Sequence, residues 1–324
     1  MHPLRQGKHL IILAVFLLAG AAWGEPVAVR DAGLELNPEA PQETRLGRLD
    51  YLGGLILASD DDRFGGYSGL AVDRDGHGLW ALSDTGHWLR LDFVTDAAGL
   101  PQHVAAADLR PLRDAKGDVL TEKRDSDAES LRHAADGSWL VAFERQHRVW
   151  RYGEPGGPAI GTVPLPASVQ DQPDNGGLEA MAVLPDDGLL LLSEEKRVGP
   201  DLGAAWLRRK GQWQDRVWPV SGDFKPTDAV MLPGGGVVVL ERYYWPLVGP
   251  KARLRLLPAT QLAGDKPWTP ELLAEWARPV SVDNMEALDA RIAADGSTWL
   301  YVMSDDNQSI LQRTLLMVFR LRAE

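Results

Sequence analysis

The chain contains no cysteine. That excludes disulfides, a thiolate nucleophile and any thiolate-held metal centre. It also lacks a basic cluster, with 34 Lys and Arg against 46 Asp and Glu and a formal charge of −12. Neither nucleic acid nor an anionic membrane surface is therefore an expected partner. There is no His-Glu-x-x-His, no Gly-Lys-Ser/Thr phosphate loop, no dinucleotide fingerprint and no contiguous EF-hand loop. The stretch Gly66-Tyr67-Ser68-Gly69-Leu70 fails as a nucleophile elbow, because Leu70 stands where the last glycine belongs.

The long apolar run at residues 10–22 is too short for a comfortable membrane span. Arg5 and Lys8 precede it and Ala22-Trp23-Gly24 offers small residues at its end, so residues 1–24 read as a cleaved secretory signal. Two cations and no acid leave with it, which takes the formal −12 to about −14. The mature chain is then expected in the periplasm or outside the cell, with no membrane contact, held by its core alone.

What the chain does have is turn residues, 33 Gly and 22 Pro, spaced between short apolar runs. Residues 25–44 show no periodicity and read as an irregular lead-in; residues 45–324 form one domain. Within it one pattern is written five times: an acid, an apolar strand, a turn, a second apolar strand and another acid. Asp-Gly turns at 75–76, 136–137 and 295–296, and the turns at 186–188 and 234–236, are strong hairpin signals. The runs Leu189 to Leu192 and Val237 to Leu240 predict strands buried on both faces, and alternating segments such as 88–93, 148–152 and 252–256 predict a third, half-solvated strand.

With Ser68, Glu129, Glu179, Asp228 and Glu286 taken as equivalent, the spacings are 61, 50, 49 and 58 residues. Such periods of short strands predict an all-β propeller of antiparallel four-stranded blades. Five blades follow from the count, with six as the alternative, and a strand at residues 46–58 would supply the last blade's missing fourth.

A second set of acids, Asp84, Glu144, Glu194, Glu241 and Asp305, follows the second strand of each repeat. In an antiparallel hairpin both sets fall at the same end of the sheet, so they should face one another around one rim. Carboxylates that close repel, and each raises the next one's pKa unless something neutralises them. Arg145, Lys196 and Arg242 follow the second-set acids, and the chain is rich in further Asp and Asn oxygens, the ligands Ca²⁺ prefers. The candidate metal ligands are Glu129, Glu179, Asp228, Glu286, Asp84 and Asp305. The candidate catalytic residues are Glu179 and Glu286, with Arg145, Arg242 and Arg313 meeting an anionic leaving group. His87 and His147 follow second strands but read as loop residues, and Trp245 is the tryptophan placed to face a ligand.

Leu178-Glu179-Ala180-Met181, Met285-Glu286-Ala287-Leu288, Ser304-Asp305-Asp306-Asn307 and Gln312-Arg313-Thr314-Leu315-Leu316 with Phe319-Arg320-Leu321 resemble the phytase-like propeller family. The resemblance runs from about Leu46 to Leu321 and implies an exported, calcium-dependent phosphoesterase-like or esterase-like protein with a carboxylate-lined site. The chain lacks the Lys and Arg cluster that would hold a highly phosphorylated ligand. The expectation is a monomeric hydrolase of small-molecule phosphate or carboxylate esters; the alternative is a non-catalytic propeller that binds a sugar, peptide or envelope partner.

Overall fold

The computed structural model describes residues 24–323. The expected secretory segment, residues 1–24, lies outside them except for Gly24.

Asp-Gly pairs set the hairpins. At Asp75, Asp136 and Asp295 the Oδ1 accepts the N–H two residues on, at 2.9, 3.0 and 2.9 Å. The following glycines take φ of 80°, 84° and 82°, a left-handed conformation that a side chain would strain. Each turn joins an innermost strand to its neighbour: Tyr67–Val72 to Gly78–Ser83, Ala128–His133 to Trp139–Phe143, and Asn284–Ile292 to Thr298–Asp305. Leu178–Leu184 with Gly188–Gly199, and Lys225–Met231 with Val237–Trp245, form the same unit in blades three and four. Third and fourth strands complete antiparallel sheets in all five blades.

The runs Leu189 to Leu192 and Val237 to Leu240 are buried throughout, as expected. The third strand of blade four, Gly249–Leu257, departs from the expected half-solvated pattern. Arg253 and Arg255 there are buried because both donate to the buried Glu241 carboxylate; an ionised acid in a core requires such partners.

Each innermost strand packs on that of the next blade, and Asn284–Ile292 packs back on Tyr67–Val72, so the ring closes at five blades rather than six. Apolar clusters fill each gap between neighbouring blades; Leu82, Trp88, Leu131, Val141 and Phe143 occupy the first. Leu49–Ser59 pairs with Thr314–Leu321 as the fourth strand of blade five, so the strand expected at residues 46–58 does close the ring.

The stretch 25–44 is less irregular than its sequence suggests. Glu25–Pro26 extends the outer edge of blade one and Val29–Gly33 the outer edge of blade five. Sheet edges present unpaired N–H and C=O groups, and this segment covers two of them despite a composition that shows no strand pattern.

Candidate functional site: a carboxylate-walled channel mouth

In every blade the innermost strand carries a β-bulge near its start. Pairing with the second strand skips Ser68, Glu129, Glu179, Thr227 and Glu286 in turn. A bulged residue leaves the ladder and its side chain is re-aimed. Ser68, Glu129, Glu179 and Glu286 are thereby turned into one cavity of about 800 Å³ at the channel mouth. Asp84, Glu144, Glu194, Arg242 and Asp305, at the equivalent place on each second strand, line the same cavity. The two expected rings therefore do face each other.

Blade four is the exception to the expected register, by one residue. Thr227, not Asp228, is its bulged residue, and Arg242, not Glu241, is its second-ring residue, since Asp228 pairs with Leu240 where Ala180 pairs with Leu192. Side chains alternate along a strand, so a slip of one changes their destination. Asp228 lies deeper in the channel, fully buried, ion-paired to Arg132 and accepting hydrogen bonds from Ser130 Oγ (3.0 Å) and the Leu288 N–H (2.8 Å). Glu241 is held between blades by Arg253, Arg255 and the Trp218 N–H at 2.7 Å. Neither lines the mouth. Thr227 is buried and donates to the Met285 carbonyl at 3.1 Å.

The floor of the mouth is densest in acids at blade two. Carboxylate oxygens of Asp127, Glu129 and Glu144 lie within 4.8 Å of one another, all buried. Asp127 is ion-paired to Lys123 and Arg145; Lys123 also meets Asp84 Oδ2 at 2.7 Å. Arg145 itself adopts φ of 56°, and its guanidinium donates to Asn175 Oδ1 at 3.3 Å. Glu144 accepts the N–H groups of Gly176 (2.7 Å) and Gly177 (3.2 Å). Glycine is needed there: a Cβ on Gly176 would stand 2.8 Å from Glu194 Oε2, and one on Gly177 2.2 Å from His147 Cε1. Arg242 bridges Glu194 and Glu286, 2.7 Å from an oxygen of each. Glu286 Oε2 has no hydrogen-bond partner among the described residues. Glu129 and Glu179 are more than nine-tenths buried, yet neither forms an ion pair among the described residues.

Burial and mutual repulsion raise the pKa values of Glu129, Glu179, Glu286 and Asp305. Burial pushes Glu129 well above the usual carboxylate range, and Glu144 and Asp127 push it further. Glu179 is raised the same way, by burial and then by Glu129 and Glu194. Burial takes Glu286 to about 8 although Arg242 opposes it, and takes Asp305 to about 7, with Asp84 and Asp306 adding to the effect. Nine carboxylates line the mouth against Lys123, Arg145, Arg242 and Arg278, a formal excess of five negative charges.

Of the other expected residues, Arg145 and Arg242 line the mouth but are committed to carboxylates, not free to meet an anion. Arg313 lies outside it, half-exposed and 3.8 Å from Asp283; its neighbour Gln312 lines the cavity instead. Lys196 donates to the Ser168 carbonyl away from the mouth. Neither His87 nor His147 lines the cavity; His147 is buried, not a solvated loop residue. Trp245 is exposed on a rim hairpin whose Tyr244 and Pro246 line the cavity. Lys123 was not apparent from the sequence, because it sits on the short helix Lys123–Ser126, which lies outside the repeat.

The five sheets and their acidic entrance define a β-propeller with a carboxylate-walled channel mouth. The chain belongs to the phytase-like family, described as having the esterase-like activity of phytase, whose family model matches residues 62–308. No curated protein matches it. Among solved structures, it is similar to an α-L-arabinofuranosidase from Podospora anserina solved in complex with cellotriose, at 12% identity over 85% of this chain and 97% of that one, with a TM-score of 0.52. It also resembles a Dyadobacter fermentans protein of unknown function, 11% identical over 92% and 95% of the two chains (TM-score 0.44). A catalytically inactive Staphylococcus aureus virginiamycin B lyase with quinupristin is 10% identical over 85% and 74% (TM-score 0.41). At such identities the likeness is one of fold.

Proposed function

We propose that this protein is an exported, monomeric hydrolase of small-molecule phosphate or carboxylate esters, with Ca²⁺ held at the channel mouth. The observation that carries the reading is the pair of buried, unpaired glutamates, Glu129 and Glu179, beside the Asp127 and Glu144 carboxylates. Uncompensated charge of this kind is costly in a fold unless a cation is shared. The donors are all carboxylate oxygens, which suits a hard cation. The partnerless Glu286 Oε2 fits the same purpose. Asp127, Glu129 and Glu144, whose oxygens lie within 4.8 Å of one another, would hold the ion, with Glu179, Glu286, Asp84 and Asp305 at its margin; Asp127 also meets Lys123 and Arg145. A divalent cation supplies Lewis-acid polarisation of an ester oxygen when bound.

The chain's own contribution is position and proton transfer. Arg242 fixes Glu286 and Glu194, and the Gly176 and Gly177 N–H groups fix Glu144. Glu286, or Glu179 beside it, takes the proton of the attacking water; a carboxyl whose pKa is raised toward neutrality suits that work. The family's description supports the reaction class. The N-terminal residues, read as a secretory signal, support export, and a mature terminus at Glu25 by mass spectrometry would bear that out.

The deciding experiment is a panel of chromogenic phosphate and carboxylate esters, assayed with the full chain in calcium and in chelator. Calcium-dependent hydrolysis, abolished in Glu179→Gln, is the expected result. No turnover in calcium would overturn the hydrolase reading and leave a binding propeller; equal turnover by the variant would remove Glu179 from the mechanism.

A further inference from the structure

Two loops rise beside the mouth with apolar side chains left in water. The blade-four hairpin carries Tyr244, 60% exposed, and Leu247, 93% exposed; the blade-five loop carries Ile310, 101%, and Leu311, 86%. Exposed large apolar groups gathered in one place mark a binding surface. These are not remote from the acids. Tyr244, Pro246 and Leu311 line the same cavity as Glu129, Glu179 and Glu286. The mouth thus has an acidic floor and an apolar lip.

Three of the four cations of the mouth are already engaged. Lys123 and Arg145 pair with Asp127, and Arg242 pairs with Glu194 and Glu286. Among the described residues, only the exposed Arg278 lines the cavity without an ion pair. A phosphate monoester would bring roughly two further negative charges to walls with a formal excess of five. One divalent cation would still leave the walls negative. An uncharged ester meets no such repulsion.

We infer that the ester taken here is an uncharged carboxylic ester whose acyl or aryl part is apolar and seats against Tyr244, Pro246 and Leu311. The inference rests on the hydrolase reading above. The water oxygen bonds to the acyl carbon as Glu286 or Glu179 takes its proton. The bond from that carbon to the alcohol oxygen breaks, and the alcohol leaves with that proton. The acid product ionises and becomes the one species that the carboxylate walls repel, so the same charge that admits the neutral ester assists release of its product.

The test uses p-nitrophenyl esters from acetate to octanoate, with the full chain in calcium. Catalytic efficiency should rise with acyl length and exceed that for p-nitrophenyl phosphate. Leu311→Ser and Tyr244→Ser, both at exposed positions, should cut the octanoate-to-acetate ratio of kcat/KM by about 10-fold, since each buried methylene contributes only a small factor. A flat length series, or preference for the phosphate, would overturn the inference. Binding of the neutral fluorophore N-phenyl-1-naphthylamine separates this from failure of the hydrolase reading. Uptake by the wild type that both variants lose supports the apolar seat even without turnover. No uptake by the wild type overturns it even if short esters are cleaved.

Discussion

Arg132 of blade two and Asp228 of blade four meet across the channel in a fully buried ion pair. The same guanidinium also donates to main-chain carbonyls of blades one, three and four, at Leu70, Met181 and Ala229. It sits across the channel below the mouth and also lines the cavity of about 400 Å³ at the other end. One side chain thus ties four of the five innermost strands together.

Removing either partner leaves a charge buried and alone. Arg132→Met and Asp228→Asn should each destabilise by about 3–5 kcal/mol. The double change Arg132→Met with Asp228→Leu should recover part of that loss. Urea denaturation measures it; single variants as stable as the wild type would mean the pair does not hold the ring.

Arg242 offers a test of the opposite kind. It is the one cation in either ring of the mouth, placed between Glu194 and Glu286. In chelator, Arg242→Gln should melt several degrees lower, because two carboxylates then face each other uncompensated. In calcium the rise in Tm should exceed that of the wild type, since the ion replaces the lost charge. A smaller calcium response would show that Arg242 and the metal do not share these oxygens.

The pH dependence has a definite sign. In metal-free protein Glu286 holds its proton to about pH 8 and Asp305 to about pH 7, against ordinary values of 4.5 and 3.8. Through this window the folded state binds more protons than the unfolded one, so these groups' contribution falls as pH rises. His87 and His147, lowered by burial, act in the other direction near their unfolded pKa. The informative quantity is therefore a difference: Glu286→Gln in chelator should lose less Tm between pH 5 and pH 8.5 than the wild type. Equal losses would place the titration elsewhere.

The clasp of blade five can be opened by one methyl group. A Cβ on Gly54 would stand 2.4 Å from the Leu316 carbonyl oxygen and 2.7 Å from the Tyr51 hydroxyl. Gly54→Ala should cost about 1–3 kcal/mol through overpacking. Gly33→Ala, where a Cβ meets nothing within 4 Å among the described residues, is the control and should stay within about 0.5 kcal/mol of wild type. Thermal melts of the two variants check both.

The fold and most of the rim are legible in the sequence because the repeat is written in apolar runs and turns, which fix strand count and direction. The register of blade four is not, because its charges and its apolar positions are out of step by one residue. Leu82-Ser83-Asp84, Leu192-Ser193-Glu194 and Met303-Ser304-Asp305 align with Leu240-Glu241-Arg242. Matched by apolar position, Glu241 falls on the serines and Arg242 on the acids, which is where the structure puts them. The same one-residue slip carries Asp228 off the rim and puts Thr227 at the bulge. Lys123 and the N-terminal edge strands carry no repeat signal at all, since their places are set by tertiary contacts.

The strand that completes the ring lies near the start of the chain and its partner near the end, with Leu57 opposite Thr314. Four blades can assemble as local hairpins, but the fifth has to wait for a pairing that spans almost the whole sequence. Loop closure on that scale is slow. The circle is therefore sealed last, and until then blade five offers a bare, strongly apolar edge at Leu315, Met317 and Phe319. Chains caught at that moment would find one another's edges as readily as their own. Yield on refolding should thus fall with protein concentration far more steeply than the stability of the finished ring would suggest.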